Sequence, residues 1–165
     1  MKLRILAVLA VVAFIAAGIF VYNEKPLAPE VSFTTLQGER FDTAALRGKV
    51  VLVNFWATTC ATCIKEMPDL AKTYEKFSAR GLEIIAVAME YDSEPQVRAY
   101  ADQATLPFKV ALDLKAKVAT GFGDVRLTPT TFLIDRQGRI VHKYLGALDL
   151  TKLDTLLEEL LSKST

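Results

Sequence analysis

The hydrophobic and polar positions divide the chain into an apolar leader and a patterned remainder. Residues 5 to 22 contain no charged, amide or hydroxyl-bearing aliphatic side chain, a run of 18 positions. As a helix, this run would be about 27 Å long, close to the hydrocarbon thickness of a bilayer. Lys2 and Arg4 precede it, and positive charge stays on the cytoplasmic side of a membrane. We therefore predict a single N-terminal transmembrane helix over residues 1–22.

A cleaved signal sequence is the main alternative for this segment, because small residues occur at Ala16 and Gly18, and a buried core helix is the third interpretation. The anchor and the signal sequence both export everything after Tyr22. We expect a single-pass protein of the inner (cytoplasmic) membrane, with its domain in the periplasm or on the outer face. Residues 23–30 carry two prolines among polar residues and are predicted to form a short, stiff linker. Residues 31–165 are then predicted to form one folded domain.

Within that domain, the periodicity changes repeatedly between that of strands and that of helices. Two alternating runs flank Gln37-Gly38 and predict a β-hairpin. Residues 49–56 and 82–89 are nearly continuous in apolar residues, which is typical of strands buried on both faces. The other predicted elements are a turn of helix near Thr43–Leu46, helices over Ile64–Phe77, after Ser93, over Leu114–Thr120 and over Leu150–Leu161, and strands over Phe108–Leu112, Thr131–Asp135 and Arg139–Tyr144.

This order of elements predicts a three-layer α/β fold around a central mixed sheet. Strands separated by helices should run parallel, and the closing hairpin should add an antiparallel edge. The opening hairpin around Gln37-Gly38 is an addition to that sheet.

Charge and composition exclude several classes of protein. The formal net charge is +1 and the charges are interspersed, so the chain lacks the basic footprint of a nucleic-acid-binding protein. A hydrophobic content of 52% excludes a disordered chain. We expect no cofactor, no bound metal and a monomeric protein.

The chain has only two cysteines, Cys60 and Cys63. A disulfide between them would close a very small loop and would constrain the unfolded chain little, so the pair is predicted to be reactive. It lies where the first buried strand meets a long helix, and a helix N-terminus stabilises a thiolate. We predict that Cys60 attacks and that Cys63 resolves the mixed disulfide. Half of a zinc site and an inert buried pair are the alternatives, although the chain has no second cysteine pair and only one histidine.

Two sequence motifs resemble those of a known family. The segment from residue 50 to residue 70, VVLVNFWATTCATCIKEMPDL, resembles the active-site segment of thioredoxin-like proteins, particularly of the membrane-anchored TlpA/ResA branch. Residues 127–138 are similar to the family's cis-proline loop and the strand after it, and residues 31–48 resemble the branch's N-terminal hairpin. The resemblance covers residues 27–162. It implies a thioredoxin-like fold and thiol-disulfide exchange with exported proteins.

The resemblance also assigns roles to individual residues. Pro129 should follow a cis peptide bond, and the backbone of Thr128 should bind an extended substrate. Trp56 should pack beside the cysteines and contribute to substrate binding. Thioredoxin carries a buried acid where this chain has Asn54. The TlpA/ResA branch instead has a glutamate at the end of the next strand, which matches Glu90 here. If Glu90 is partly buried beside the cysteines, its pKa should rise, and it could accept the proton of Cys63.

The resemblance further suggests a reductant that receives electrons from a membrane protein, for example in cytochrome c maturation. Two other functions remain open. A peroxiredoxin-like peroxidase would need an arginine and a threonine around one cysteine, and Thr59 is adjacent to Cys60. A copper carrier would bind the metal through Cys60 and Cys63.

Overall fold

The computed structural model describes Phe14 and residues 25–163. The predicted transmembrane helix over residues 1–22 falls outside these residues, apart from Phe14. Among the residues described, no helix combines the length and the apolar character needed to cross a bilayer.

A five-stranded sheet forms the centre of the domain. Its strands are β3 (Val50–Trp56), β4 (Leu82–Ala88), β5 (Lys109–Leu112), β6 (Thr130–Ile134) and β7 (Ile140–Leu145), and they lie in the order β5-β4-β3-β6-β7. Strands β3, β4 and β5 are parallel, whereas β6 is antiparallel to β3 and β7 is antiparallel to β6. The predicted mixed sheet with its antiparallel closing hairpin is therefore confirmed.

Four α-helices cover the sheet on two sides and complete the three layers. Every position of β3 and β4 is buried, because side chains on both faces of these strands meet another layer. The helices are α1 (Ala61–Phe77), α2 (Glu94–Gln103), α3 (Lys117–Gly121) and α4 (Leu150–Ser162). Helices α1, α2 and α4 pack against one face, and α3 packs against the other together with the N-terminal part of the domain.

The predicted N-terminal hairpin is present as β1 (Ser32–Thr34) and β2 (Arg40–Asp42). Its turn uses Gly38 at φ +82°, a conformation that favours glycine. The hairpin forms a separate two-stranded sheet and meets β5 through a bridge between Thr35 and Ala111. A 3-10 helix at Thr43–Leu46 then leads into β3.

The helix predicted over residues 114–120 is divided into two elements. A 3-10 turn over Leu114–Ala116 precedes α3, and Lys115 and Ala116 have φ values of +61° and +51°. The buried carboxylate of Asp113 accepts hydrogen bonds from two backbone N–H groups in the first turn of α3, at 2.8 and 3.0 Å. These bonds satisfy N–H groups that a helix start leaves without partners, so α3 begins late.

The second half of the predicted linker packs on the domain. Leu27 forms an antiparallel bridge with Arg139, and the N–H of Ala28 donates to the carbonyl of Gly138 at 2.8 Å. The N–H of Ile140 donates to the carbonyl of Pro26 at 2.8 Å, and Ala28 is buried. From Pro26 onwards the chain is therefore held against β7 by backbone hydrogen bonds, which a free tether would not make.

Candidate active site

The two cysteines lie where the sequence places them, between β3 and α1. Cys60 is the N-cap residue of α1, and its Sγ accepts a hydrogen bond from the backbone N–H of Cys63 at 3.2 Å. The two cysteines form a disulfide with their Cα atoms 5.2 Å apart. The N-terminal end of a helix thus faces Cys60 and would stabilise its thiolate after reduction.

The two sulfurs differ in accessibility. Cys63 is only 2% exposed and belongs to the core on the α1 side of the sheet, whereas Cys60 is half-buried at the surface. An incoming substrate can therefore reach Cys60 more easily than Cys63. This supports Cys60 as the attacking thiol.

The loop before the cysteines is attached to the loop after β4. The Asp92 carboxylate accepts hydrogen bonds from the backbone N–H and the hydroxyl of Thr58, both at 2.6 Å. The same carboxylate accepts from the N–H of Ser93 at 3.0 Å. These contacts hold the residues between Trp56 and Cys60 in a fixed position relative to the sheet.

The cis-proline loop faces the same end of β3. The Thr128–Pro129 peptide bond is cis, as the resemblance implies. Thr130 pairs with Phe55 across the sheet, so Pro129 lies beside the end of the strand that leads to the cysteines. Thr128 is half-buried, and its neighbour Leu127 is 68% exposed. Pro129 itself is buried, and the binding role of Thr128 and Pro129 stays a prediction.

Trp56 has no exposed surface in this structure. Its side chain is fully buried, belongs to the same core cluster as Cys63, and packs against Tyr100 with ring centroids 5.4 Å apart. The position of Trp56 in the same cluster as Cys63 agrees with the expectation that Trp56 packs beside the cysteines. Direct contact of Trp56 with substrate stays a prediction, and the burial favours a supporting role.

Asn54 lies buried in the middle of β3, where the resemblance places an acid in thioredoxin. Its Nδ2 donates to the hydroxyl of Thr131 on β6 at 2.8 Å. An amide has no proton-accepting carboxylate, so the proton of Cys63 must go elsewhere.

Glu90 differs from the sequence expectation. Its side chain is exposed, just beyond the end of β4, and it lines a surface cavity of about 360 Å³ together with residues of α3 such as Thr120. Neither Cys60 nor Cys63 lines this cavity. The partial burial beside the cysteines that the sequence analysis expected for Glu90 is therefore not observed. A catalytic role of Glu90 stays a prediction.

A buried carboxylate is instead present at Glu66, to which the sequence analysis assigned no role. Glu66 is 8% exposed, and its Oε2 accepts a hydrogen bond from the backbone N–H of Leu148 at 3.1 Å. Its Oε1 is buried with no hydrogen-bond partner among the described residues. Burial raises the pKa of Glu66, the hydrogen bond from Leu148 opposes this, and the negative charge of Asp69 raises the pKa further.

Glu66 lies on α1 three residues after Cys63, and residues three apart are neighbours on a helix surface. The signal in the sequence was a carboxylate next to the buried stripe of an amphipathic helix, one turn from a reactive cysteine. Glu66 lies within the segment at residues 50–70 that resembles the family. Beside Glu66, a groove of about 400 Å³ is lined by Ala61, Thr62, Lys65, Glu66, Asp69, Ala147, Leu148 and Leu150.

This arrangement supports thiol-disulfide exchange. The thiolate of Cys60 attacks one sulfur of a substrate disulfide, which breaks as the new bond forms and one substrate thiolate leaves. Cys63 loses its proton and attacks Sγ of Cys60, which forms the Cys60–Cys63 disulfide and releases the second substrate thiolate. The two electrons end on the substrate, and Glu66 is a carboxylate within one helical turn of the proton that Cys63 gives up.

The other proposed chemistries find less support in the geometry. In the described part of the chain, no group of three or more histidine, cysteine or acidic residues is arranged to hold a metal. His142 lies on β7, where it is exposed and packs against Tyr144. Thr59, the threonine adjacent to Cys60 that a peroxidase could use, is exposed.

Comparison with known proteins identifies relatives over most of the chain. A family model described as Redoxin matches residues 23–157. Thiol-disulfide oxidoreductase ResA of Bacillus cereus is 36% identical over 147 residues, which cover 87% of this chain and 84% of the relative. The protein of the same name from Halalkalibacterium halodurans is 34% identical over 168 aligned positions, which cover 96% of this chain and 92% of the relative.

Solved structures agree with the fold. A thiol:disulfide interchange protein of the thioredoxin family from Chlorobium tepidum superposes with a TM-score of 0.76 at 26% identity, covering 84% of this chain and 98% of that one. The thioredoxin domain of a thiol-disulfide oxidoreductase from Bacteroides vulgatus gives a TM-score of 0.72 at 27% identity, covering 84% and 97%.

Proposed function

This chain belongs to the redoxin family and is a thiol-disulfide oxidoreductase of the TlpA/ResA branch, and we propose that it reduces disulfides of exported proteins. The observation that carries the proposal is the asymmetric pair, with accessible Cys60 at the start of α1 and buried Cys63 one turn from the buried carboxylate of Glu66. The substrate is a protein disulfide, bound in extended form along Thr128 and Pro129.

The charge near Cys63 supports this direction of electron flow. A strong disulfide oxidant is one whose reduced form is stabilised, chiefly through an ionised thiol. In its ionised form, Glu66 places negative charge near Cys63 and disfavours a second negative charge there. The reduced form is thereby made less stable, which favours giving electrons to a substrate.

The cellular setting is part of the same proposal. The apolar run over residues 5–22 anchors the protein in the cytoplasmic membrane, and the domain lies on the outer face. The pair is then reduced again by a membrane protein that carries electrons from inside the cell. Cytochrome c maturation is the pathway we propose, because haem attachment requires reduced cysteines in the exported apocytochrome.

Three sets of measurements test the proposal. The reduction potential of the Cys60–Cys63 pair should lie near that of thioredoxin, about −270 mV, and a potential near that of DsbA, about −120 mV, would reject a reductant. Deletion of the gene in the native host should lower the amount of covalently bound haem c, and an added small-molecule thiol should restore it. Turnover of peroxide without turnover of a protein disulfide would favour the peroxidase, and stoichiometric binding of copper(I) with neither turnover would favour the carrier.

Location is tested separately. Alkaline carbonate should leave the protein in the membrane fraction, and protease added to the outer face should digest the domain. A soluble mature form that begins near residue 19 would reject the anchor and leave export intact.

A further inference from the structure

A groove lies between the N-terminal hairpin and the start of α3. It has a volume of about 520 Å³, and it opens on the side of the Thr35–Ala111 bridge where β5 ends and no longer pairs with β1. Its walls include Ser32, Arg40 and Asp42 of the hairpin and Leu114, Lys115 and Lys117 of the segment after β5. We call it the hairpin groove.

Three basic side chains line the hairpin groove without acidic partners. Arg40 belongs to β2, Lys115 to the 3-10 turn before α3, and Lys117 to the first position of α3. All three are exposed, and within the described residues none of their side chains makes an ion pair or a hydrogen bond. Segments distant in sequence therefore bring unpaired positive charge to one groove.

The acids nearby leave this positive charge in excess. Asp42 is the one acid among the described lining residues, and its carboxylate accepts a hydrogen bond from the hydroxyl of Ser32. Glu39 pairs with Lys109 at 2.6 Å, so this pair adds no net charge. Asp113 is 2% exposed, and its carboxylate is occupied by backbone N–H groups of α3. Three cations thus face two acids, one of which is buried.

The backbone of β1 alternates between two directions. The N–H of Thr35 donates to the carbonyl of Glu39 at 2.9 Å, and the N–H of Thr43 donates to the carbonyl of Val31 at 3.0 Å. Residues that exchange bonds with an antiparallel partner alternate with residues whose N–H and C=O groups point away from it. The odd-numbered residues of β1 therefore bond to β2, and the even-numbered residues direct their backbone groups to the other edge.

That other edge is only partly occupied by β5. The N–H of Leu36 donates to the carbonyl of Val110 at 2.9 Å, as this alternation requires. Ser32 lies on the same edge but beyond the end of β5. Within the described residues, its outward N–H has no backbone partner. The hairpin groove thus contains a free strand edge, which can bond to an extended chain.

An exposed apolar side chain completes the hairpin groove. Leu114 is 52% exposed and stands between the end of β5 and Lys115. Side chains of an added strand would point alternately to its two sides. Such a strand can therefore direct acidic side chains to the basic residues and apolar side chains to Leu114.

We propose that the hairpin groove binds an extended, acidic segment of a partner protein. The segment adds to the free edge of β1 through main-chain hydrogen bonds at Ser32. Its carboxylates face Arg40, Lys115 and Lys117, which selects acidic segments over basic ones. This inference goes beyond the proposed function and does not require it, because binding involves neither cysteine.

The groove also lies near the edge of the sheet that carries the cysteines. Strands β3, β4 and β5 are parallel, so the end of β5 and the end of β3 are at the same edge. Strand β5 stands two positions from β3, about 10 Å to the side. A partner docked in the hairpin groove is therefore held on the side of the domain where Cys60 reacts.

The test measures peptide binding to the full-length protein in an uncharged detergent. The probe is a short dye-labelled peptide that alternates glutamate and valine, and the control peptide alternates lysine and valine. Fluorescence anisotropy should rise with the acidic peptide and stay unchanged with the basic one. At 1 M salt the Debye length falls to about 3 Å, and binding of the acidic peptide should weaken strongly.

A matched pair of double variants separates the hairpin groove from net charge. Lys115→Gln/Lys117→Gln removes two of its three cations. Lys72→Gln/Lys152→Gln removes two exposed cations from α1 and α4, which cover the other face of the sheet. Loss of two exposed ion pairs should weaken binding of the acidic peptide about fivefold in the first variant, and the second should bind normally. Melting temperatures should confirm that both variants fold.

Substitutions at Ser32 test the main-chain contact. Ser32→Pro removes the outward N–H, whereas Ser32→Ala keeps it, and both variants lose the hydroxyl. Proline is tolerated on an edge strand where it removes no bond of the sheet. Ser32→Pro should bind the acidic peptide about fivefold more weakly than Ser32→Ala, which corresponds to one hydrogen bond.

Failure of the inference and failure of the proposed function give different results. No binding of the acidic peptide, equal effects of the two double variants, or equal binding by the two Ser32 variants would overturn the proposal. Light scattering that shows a dimer lost in Lys115→Gln/Lys117→Gln would also overturn it, because a second copy would then fill the groove. The probe has no cysteine, so a protein that binds it but reduces no protein disulfide keeps the docking site and loses the proposed function.

Discussion

The buried carboxylate of Glu66 accepts a hydrogen bond from the backbone N–H of Leu148 at 3.1 Å, across 82 positions of sequence. This contact joins the helix that follows the cysteines to the loop before the last helix. It holds the only described acid that combines deep burial with a position one turn from Cys63. The first two predictions concern its proton.

Replacing Glu66 by Gln should slow the release of a mixed disulfide on Cys60. Gln keeps the size of the side chain and can accept from Leu148, but it cannot accept a proton from Cys63. We expect a loss of about 100-fold at neutral pH, measured by rapid mixing with a preformed mixed disulfide. The control is Glu90→Gln, the carboxylate that the sequence favoured, which is exposed. A loss in Glu90→Gln and none in Glu66→Gln would restore the assignment made from the sequence.

The stability of the protein should depend on pH through Glu66. Its pKa in the folded state is raised above its ordinary value of 4.5, chiefly by burial, so the folded protein binds this proton more tightly than the unfolded chain. Below pH 4.5 the Glu66 carboxyl is protonated in both the folded and the unfolded state, so its burial costs no ionisation free energy. This cost appears as the pH rises through the raised pKa of the folded state. Glu66→Gln should therefore be at least as stable as the wild type at neutral pH, and its advantage should shrink on acidification. Denaturant titrations of both proteins from acidic to neutral pH measure the difference in their free energies of unfolding. A difference that does not change with pH would contradict the prediction.

Cys60 should be the thiol that reacts first, because it is half-buried whereas Cys63 is 2% exposed. Alkylation of the reduced protein near neutral pH, followed by mass spectrometry of peptides, should label Cys60 before Cys63. A Cys63→Ser variant should accumulate mixed disulfides with substrate proteins, because the resolving thiol is missing. A Cys60→Ser variant should accumulate none, and the reverse pattern would exchange the two roles.

Asp92 should matter for the position of Cys60. Asp92→Ala removes both bonds to Thr58, which should lower the free energy of unfolding by about 1–2 kcal/mol and slow alkylation of Cys60. The control is Asp102→Ala, which replaces an exposed acid on α2. It should change neither the free energy of unfolding nor the rate at which Cys60 is alkylated. Denaturant unfolding and the alkylation rate are the two measurements. An Asp92→Ala protein that is less stable but alkylated at the normal rate would show a structural role only.

Lys49 should stabilise the domain through Glu83. The Lys49 ammonium lies 2.8 Å from the Glu83 carboxylate, whose side chain is nearly buried, and this hydrogen bond raises the pKa of Lys49 above 10.5. The stabilisation is complete below pH 10.5 and is lost as the pH rises through the raised pKa. Lys49→Met should cost about 1–2 kcal/mol at neutral pH, a modest value because Lys49 is half exposed. The control is Lys72→Met, which removes an exposed ion pair with Asp69 and should lower the free energy of unfolding by less. Chemical denaturation measures both values, and equal losses would contradict the role of burial.

Much of the fold could be predicted because its signals are local. The apolar runs of β3 and β4 indicate strands covered on both faces, and the structure confirms them at nearly the predicted bounds. Cys60 and Cys63 stand at a strand-to-helix junction that caps and periodicity already mark. The sequence predicted a single helix over residues 114–120, because periodicity does not show that the Asp113 carboxylate accepts hydrogen bonds from N–H groups in the first turn of α3.

By itself, the sequence determined the order of the elements, the reactive pair and the family it resembles, because each depends on residues close together in the chain. The tertiary structure decided which carboxylate is buried, since the burial of Glu66 depends on Leu148 and the exposure of Glu90 depends on how the chain leaves β4. It also decided that Pro26 to Ala28 are held on β7 and that Arg40 joins Lys115 and Lys117 in one groove. Burial and charge clustering are set by segments distant in sequence, and no local pattern encodes which of them will meet.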